Sequence, residues 1–87
     1  MYRVEIAGKA RRRLLGLPVR VRERIAEALG MLGADPRSQA LDVRALVNDA
    51  QARYRLRVGS YRVRFNRDDS RQLIQVVDIG HRKEIYR

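Results

Sequence analysis

The sequence contains no cysteine and a single histidine, His81. Without cysteine the chain can form no disulfide, bind no metal through thiolates and use no cysteine as a nucleophile. One histidine falls short of the ligand set that a zinc or iron site needs. We therefore expect neither a bound metal nor any other cofactor.

Long hydrophobic runs are also missing. No apolar run approaches the length of a membrane-spanning helix, and the first residues lack the continuous apolar segment of a signal peptide. We therefore expect a cytoplasmic protein with no membrane partner. The chain also shows no carboxylate pair set for acid–base catalysis, no Ser-His-Asp arrangement and no glycine-rich phosphate loop.

Lysine is scarce, since Lys9 and Lys83 are the only lysines among 20 basic residues. Against 10 acidic residues, this leaves a net charge of +10. The arginine guanidinium is planar and matches the oxygens of a phosphate with two parallel hydrogen bonds. Residues 51–87 carry 10 basic and 4 acidic side chains, whereas residues 1–50 carry 10 and 6. We therefore expect the strongest positive field in the C-terminal part of the chain.

The clearest local pattern runs from Arg53 to Arg67, where apolar and mostly basic residues alternate on both sides of Gly59-Ser60. Alternation with period two around a two-residue turn that contains glycine predicts a β-hairpin. Glycine at the first turn position suits a type II′ turn. The apolar residues should face each other across the strands in three pairs, Val58 with Tyr61, Leu56 with Val63 and Tyr54 with Phe65.

The other face of the predicted hairpin carries arginines opposite one another. Arg57 lies across from Arg62, and Arg55 lies across from Arg64. Like charges directly across a ladder destabilise a sheet by roughly 0.2–1 kcal/mol per pair, so a purely structural face would normally mix signs. We interpret these residues, together with Arg53, as an open basic surface that binds a polyanion. The alternative is that these arginines lie on a solvent-exposed strand face and serve solubility alone.

The other segments predict one α+β domain over residues 1–87, in the order β-α-α-β-β-β. Tyr2 to Ile6 alternates as a strand, and the spacing from Ala7 onward becomes helical. Pro18 separates two helices, the second of which should end at Gly33 as C-cap. The two helices should pack as a hairpin on the apolar face of a mostly antiparallel, twisted sheet.

The last predicted strand covers Gln72 to Gly80 and has apolar groups on both faces, which is typical of a central strand. Residues 34–50 show few periodic cues, and we predict no strand or helix there. Because His81, Arg82 and Tyr86 follow the last strand directly, they should emerge near the arginines of the hairpin.

Arginines grouped with a tyrosine and a histidine, without a metal, suit the cleavage of RNA. RNA carries its own nucleophile, the ribose 2′-hydroxyl, which DNA lacks. Arginines would stabilise the charge of the phosphorane. The base would be either Tyr86, whose pKa adjacent guanidinium groups would lower, or His81, since imidazole is chemically the easier proton shuttle. Taken alone, each of these residues also has an ordinary structural role, such as anchoring the tail or forming an ion pair between Arg82 and Glu84 or Asp78.

Two C-terminal motifs together point to a known family. The run YRLRVGSYRV from Tyr54 to Val63, followed by IGHRKEIYR from Ile79 to Arg87, resembles the RelE/ParE superfamily of toxins from type II toxin–antitoxin systems. The resemblance covers the whole chain, because Lys9-Ala10, Leu14, Leu17-Pro18 and Leu46 fit as well.

The resemblance implies a RelE-like fold and, for the RelE-like branch, a metal-independent endoribonuclease that cleaves mRNA in the ribosomal A site. The implied partners are a cognate antitoxin, the ribosome and mRNA, with operator DNA bound only through the antitoxin complex. The functional set of that branch maps to Arg55, Arg57, Arg62, Arg82 and Tyr86, and His81 stays a candidate because related toxins use a C-terminal histidine. We further expect RNA contacts from Arg53, Arg64, Lys83 and Arg87.

Two features depart from the RelE-like branch. The positions on the first hairpin strand are often lysine there but are Arg55 and Arg57 here, and guanidinium is too weak an acid to donate a proton readily. The spacing from Arg82 to Tyr86 is also shorter than in the best-known member. Two alternatives therefore stay open: a ParE-like toxin that inhibits DNA gyrase without cutting nucleic acid, and a degenerate homologue that only binds an antitoxin or RNA.

Overall fold

The sheet of this protein has five strands in the order β1-β5-β4-β3-β2, as seen in a computed structural model that describes residues 1–85. The elements are β1 (Arg3–Ile6), α1 (Gly8–Leu15), α2 (Val19–Ala34), β2 (Asp42–Ala45), β3 (Tyr54–Val58), β4 (Tyr61–Asp68), β5 (Leu73–His81) and α3 (Arg82–Ile85). The strands pair antiparallel except for β1, which runs parallel to β5. The predicted α+β fold, with two helices on a mostly antiparallel sheet, is confirmed.

The hairpin of β3 and β4 has the predicted register, in which Val58 pairs with Tyr61 and Arg57 with Arg62. Gly59 has a φ of 59°, whereas Ser60 is not among the residues with positive φ. This combination fits the predicted type II′ turn, since a type I′ turn requires positive φ at both positions. Glycine adopts this conformation without the steric cost that a Cβ would bring.

The core lies between the two long helices and one face of the sheet. Burial of apolar side chains from both layers removes them from water and is the main stabilising contribution to the fold. The buried cluster comprises Ala10, Leu14, Ile25, Leu29 and Leu32 from the helices, and Leu56, Val63, Phe65, Ile74, Val76 and Ile79 from the strands. None of the helices within residues 1–85 is long and apolar enough to cross a membrane.

The structure contains an edge strand, β2, where the sequence predicted no element. It has four residues, and its inward-facing Val43 is only partly buried opposite Leu56. So short a strand gives almost no periodic signal. On its outer face it adds Asp42 opposite Arg57 and Arg44 opposite Arg55.

The prediction that Gly33 caps α2 is wrong, because the helix continues through Ala34. Gly33 instead lies where β1 passes close to the helix, and its carbonyl accepts a hydrogen bond of 2.7 Å from the Tyr2 N–H. A Cβ at this position would lie 3.1 Å from the Tyr2 carbonyl oxygen and 3.2 Å from Cγ2 of Val4. This close approach of strand and helix therefore favours glycine over a residue with a Cβ.

A β-bulge interrupts the pairing of β4 with β5. Arg64 pairs with Asp78, but the next residue, Phe65, pairs with Val76, which leaves Val77 as the extra residue of β5. A bulge of one residue shifts the alternation of side chains along the rest of the strand. As a result, Val76 and Ile79 both reach the core, while Asp78 lies on the outer face beside Arg64.

Candidate functional site

The face of the sheet that points away from α2 carries the arginines predicted from the hairpin. We call it the arginine face and define it by five residues, Arg44, Arg55, Arg57, Arg62 and Arg64. They form two rows across the strands, one through Arg44, Arg55 and Arg64 and the other through Arg57 and Arg62. The sequence interpretation missed Arg44, although the alternation of polar and apolar residues in Asp42–Ala45 carried a weak signal for it.

The arginine face contains a carboxylate of its own, Asp42. Its Oδ1 lies 3.1 Å from Nη1 of Arg55, and its Oδ2 lies 4.0 Å from Nη1 of Arg57. The hydrogen bond from Arg55 lowers the pKa of Asp42, and the charges of Arg44 and Arg57 lower it further. The face is therefore less uniformly basic than the alternation of the hairpin predicted.

Arg64 is buried within the protein and held by two acids. Its Nε and Nη2 atoms donate to Asp49 over 2.9 and 2.8 Å, and its Nη1 donates to Asp78 over 3.3 Å. Its side chain is only 10% exposed. The expectation of an open surface at this position is therefore wrong, and the geometry disfavours the predicted contact of Arg64 with RNA.

Asp78 is the centre of this ion-pair cluster. It is 3% exposed and receives Lys9 and Arg13 from α1, at 3.6 and 3.0 Å, in addition to Arg64. The alternative role of Arg82, an ion pair with Asp78 or Glu84, does not occur among residues 1–85. Sequence reasoning missed this cluster because its members come from distant parts of the chain.

The hairpin turn brings cationic segments together at one end of the arginine face. Arg62 Nη1 donates to the Gly59 carbonyl over 2.9 Å, and Arg57 Nε donates to the same oxygen over 3.5 Å. The backbone N–H of Arg82 donates to the Ser60 carbonyl over 2.9 Å, so the start of α3 lies against the turn. We call Arg57, Arg62 and Arg82 the turn-end cluster.

A further arginine, Arg24 of α2, approaches the same turn from the helix layer. Its guanidinium lies 3.4 Å from the point where a Cβ of Gly59 would be. The sequence alone does not predict this contact, because helical periodicity assigns a residue to a side of its helix but does not reveal which loop a long side chain reaches.

His81 lies on the other face of the sheet. It pairs with Tyr61, and the two rings meet edge to face with centroids 5.5 Å apart. A cavity of about 380 Å³ beside the ring is also lined by Leu17, from the joint between α1 and α2. The ring Nδ1 accepts the N–H of Lys83 over 3.1 Å. The structure therefore does not bring His81 onto the arginine face, although Arg62 pairs with the neighbouring Gly80.

The remaining predicted site residues are spread more widely. Arg53 is exposed just before β3, away from the hairpin turn, and its N–H donates to Asn66 Oδ1 over 2.9 Å. Lys83 is exposed on α3, next to the turn-end cluster. Tyr86 and Arg87 lie outside the described residues.

Comparison with known proteins identifies the family. A sequence model of the family described as the ParE toxin of type II toxin–antitoxin systems, parDE, matches residues 4–86. The chain therefore belongs to the ParE toxin family, and it is a toxin of the RelE/ParE type. No match was found among curated protein sequences.

Several solved structures of similar fold contain RelE toxins. The RelBE2 toxin–antitoxin complex of Mycobacterium tuberculosis contains a chain 27% identical to this one, with a TM-score of 0.76 and coverage of 92% of this chain and 96% of that one. The archaeal RelE–RelB complex of Pyrococcus horikoshii OT3 gives 27% identity, a TM-score of 0.79 and coverage of 95% and 97%. The isolated RelE toxin of E. coli, at 22% identity and a TM-score of 0.74 over 99% and 92% of the two chains, shows the shared fold alone.

Proposed function

We propose that this toxin cleaves mRNA on the ribosome, using the ribose 2′-hydroxyl as nucleophile and the turn-end cluster to stabilise the phosphorane. The observation that carries this proposal is the meeting of Arg57 and Arg62 at the Gly59 carbonyl, beside the backbone of Arg82. Guanidinium groups pair with phosphate oxygens through charge-assisted hydrogen bonds. Several cations fixed around one phosphodiester would supply the electrostatic stabilisation that usually contributes most to catalysis.

The reaction forms a bond from the 2′-oxygen to phosphorus and breaks the bond from phosphorus to the 5′-oxygen. The 2′-hydroxyl gives up a proton, and the departing 5′-oxygen takes one, so the products are a 2′,3′-cyclic phosphate and a 5′-hydroxyl. Arginine is too weak an acid to donate that second proton, which we assign to solvent.

Tyr86 is our choice for the residue that removes the proton from the 2′-hydroxyl. The family resemblance implies this role, and guanidinium groups that bind the same substrate would favour the phenolate form of a tyrosine base. His81 is the less suitable base, because its Nδ1 lone pair accepts the Lys83 N–H and its ring lies against Tyr61 on the other face of the sheet. With Nδ1 as acceptor, the neutral ring carries its proton on Nε2 and has no lone pair left to accept another.

A cognate antitoxin is the partner we propose for neutralisation. The exposed cations Arg57, Arg82 and Lys83 suit an acidic or amphipathic segment of the antitoxin laid partly on the arginine face. The two similar solved structures at 27% identity are both complexes of a toxin with its antitoxin. Affinity for the antitoxin should then fall as salt rises, whereas affinity that changes little with salt would indicate a mainly apolar contact.

The experiment that tests the proposed activity is induced expression without antitoxin, followed by mapping of mRNA 5′ ends. One message is made in a translated copy and in a copy that lacks its start codon. Cuts inside codons, found only in the translated copy, are the expected result. Growth arrest with intact mRNA would refute ribosome-dependent cleavage.

Inhibition of DNA gyrase is the second candidate function. It is favoured by the match to the ParE family and by the acids Asp42 and Asp49, which already pair with Arg55 and Arg64 within this chain. Purified toxin added to gyrase and relaxed plasmid distinguishes the two functions. Loss of supercoiling at a stoichiometric amount of toxin would support gyrase inhibition, and normal supercoiling would refute it as a function of this toxin.

A further inference from the structure

We propose that the carboxylate of Asp42 occupies a phosphate-binding position formed by Arg55 and Arg57. On the function proposed above, an RNA phosphodiester fills this position when substrate binds, so Asp42 and the RNA compete for it. Substrate binding then exchanges one anion for another on the same pair of guanidinium groups. Asp42 would act as a specificity-determining residue rather than as a catalytic one.

The geometry of Asp42 supports an exchange of this kind. Its two carboxylate oxygens contact different arginines, Oδ1 reaching Arg55 at 3.1 Å and Oδ2 reaching Arg57 at 4.0 Å. The non-bridging oxygens of a phosphodiester accept hydrogen bonds from guanidinium groups in the same way. Arg55 Nη1 also donates to the backbone carbonyl of Asp42 over 3.1 Å, a bond that would hold Arg55 beside β2 when the carboxylate leaves.

The exposure of these side chains indicates that the carboxylate can be displaced. The side chains of Asp42 and Arg57 are 44% and 52% exposed, and that of Arg55 is 15% exposed. Asp49 and Arg64 form the contrasting pair, at 14% and 10% exposed. Exposed ion pairs contribute little to stability, so opening the contact of Asp42 costs little, whereas the Asp49 pair is part of the fold.

Competition by Asp42 would weaken the binding of RNA that makes few other contacts. A short, unattached RNA has to displace the carboxylate with its own phosphates alone. An mRNA already held on a ribosome that also binds the toxin is present at a high effective concentration, which overcomes the competition. Asp42 would thereby direct the toxin away from unbound RNA and toward translated message.

The test compares wild-type toxin with Asp42→Asn in binding a fluorescent single-stranded oligoribonucleotide whose 2′-hydroxyls are methylated, so that it cannot be cleaved. Asp42→Asn should bind about fivefold more tightly at low salt, with a log–log salt dependence steeper by about 0.7 for one additional phosphate contact. Glu27→Gln on the exposed side of α2 removes the same charge and serves as the control, with affinity close to wild type. Equal effects of the two substitutions would overturn the proposal.

A measurement on the wild-type protein makes the outcome independent of how the variant folds. The carboxyl carbon of Asp42 is followed by NMR across a pH titration, with and without the same oligoribonucleotide. In the unbound protein Arg55, Arg44 and Arg57 hold the pKa of Asp42 below its ordinary value. Displacement by a phosphate should raise this pKa, and an unchanged titration with RNA bound would refute the exchange.

Both readouts are independent of cleavage. If mRNA is left intact in cells while Asp42→Asn still binds the oligoribonucleotide more tightly than Glu27→Gln does, the proposed nuclease function fails and the competition stands. If mRNA is cut but the two substitutions behave alike, the proposed nuclease function stands and the competition by Asp42 is refuted.

Discussion

Arg64 holds both carboxylate oxygens of Asp49, through hydrogen bonds of 2.9 and 2.8 Å from its Nε and Nη2 atoms. The same carboxylate accepts the backbone N–H groups of Gln51 and Ala52, each over 2.9 Å. The pair therefore fastens the loop between β2 and β3 onto β4, and Ala52 within that loop is buried. An arginine of the predicted binding surface is in this way a structural residue.

Replacing Asp49 with asparagine should destabilise the protein by about 3 kcal/mol, because it leaves the charge of a buried arginine partly uncompensated. Urea unfolding followed by circular dichroism measures the loss. Glu27→Gln, at an exposed site on α2, should change the free energy of unfolding by less than about 0.5 kcal/mol. Similar stabilities for the two variants would show that the Asp49–Arg64 pair contributes little.

The stability of the toxin should depend on pH in the acid range. The hydrogen bond from Arg64 holds the pKa of Asp49 well below the ordinary value of 3.8. Because the pKa is lower in the folded state, this stabilisation is complete above the unfolded pKa and is lost as the pH falls toward the folded one. The free energy of unfolding should thus decline below about pH 4.

Urea titrations of wild type and Asp49→Asn at several pH values test this acid dependence. The variant should show the shallower decline. Some decline should persist in it, since the pKa values of Asp42 and Asp68 are also lowered, by hydrogen bonds from Arg55 and Ser70. Parallel curves for the two proteins would contradict the role of Asp49.

Two glycines of α2 should respond oppositely to replacement by alanine. Gly30 has nothing within 4 Å of an added Cβ, so Gly30→Ala should raise the free energy of unfolding by about 0.5–1 kcal/mol through helix propensity. At Gly33 the added methyl group would press on the Tyr2 carbonyl and Val4, so Gly33→Ala should lower it. Thermal unfolding of both variants measures the two effects. A stabilised Gly33→Ala would mean that β1 moves away from the helix at little cost.

The turn-end cluster should be required for toxicity. Arg62→Ala and Arg82→Ala are expected to abolish growth arrest and the cutting of mRNA, because each removes a cation from the phosphate position. Arg71→Ala, an equivalent change at the exposed turn before β5, should leave both intact. Circular dichroism and antitoxin binding check that the inactive variants are folded. Arrest that survives both cluster substitutions would locate the toxicity elsewhere.

The two candidate bases should differ in the effect of their removal. Tyr86→Phe is expected to reduce the cutting of mRNA by about 100-fold or more, as for loss of a general base. His81→Gln should leave most of the activity, since the ring lies on the face away from the arginines. Cleavage of a programmed ribosome complex by purified toxin provides the rates. The reverse order of effects would make His81 the base.

Local periodicity was sufficient to predict the hairpin down to its register and turn type. The same alternation correctly paired Arg57 with Arg62, because both lie within a few residues of Gly59. The strand β2 escaped prediction because four residues with one partly buried side chain hardly differ from a loop. Because β2 was absent from the predicted fold, the prediction also missed Asp42, which is the only acid found opposite Arg57 within residues 1–85.

The site could be predicted only in part for a related reason. Alternation assigns a side chain to a face of its strand, but it does not reveal which distant acid will meet it. Arg64 looked equivalent to Arg62 in the sequence, and only the folded chain brings Asp49 and Asp78 to it. The bulge at Val77 shifts the alternation of side chains in the last residues of β5. This shift decides on which face of the sheet His81 lies.

The parallel pairing of β1 with β5 bears on the time at which the toxin can act. Arg3 pairs with Leu73 and Ile6 with Val76, so β1 has no partner strand until β5 has been synthesised. Contacts between such distant segments form late and slowly. The hairpin also lacks its neighbour β5, and the backbone of Arg82, until that moment. The complete sheet can therefore form only after residues 73–81 have been synthesised, so a shorter nascent chain lacks both the pairing of β1 and the assembled turn-end cluster.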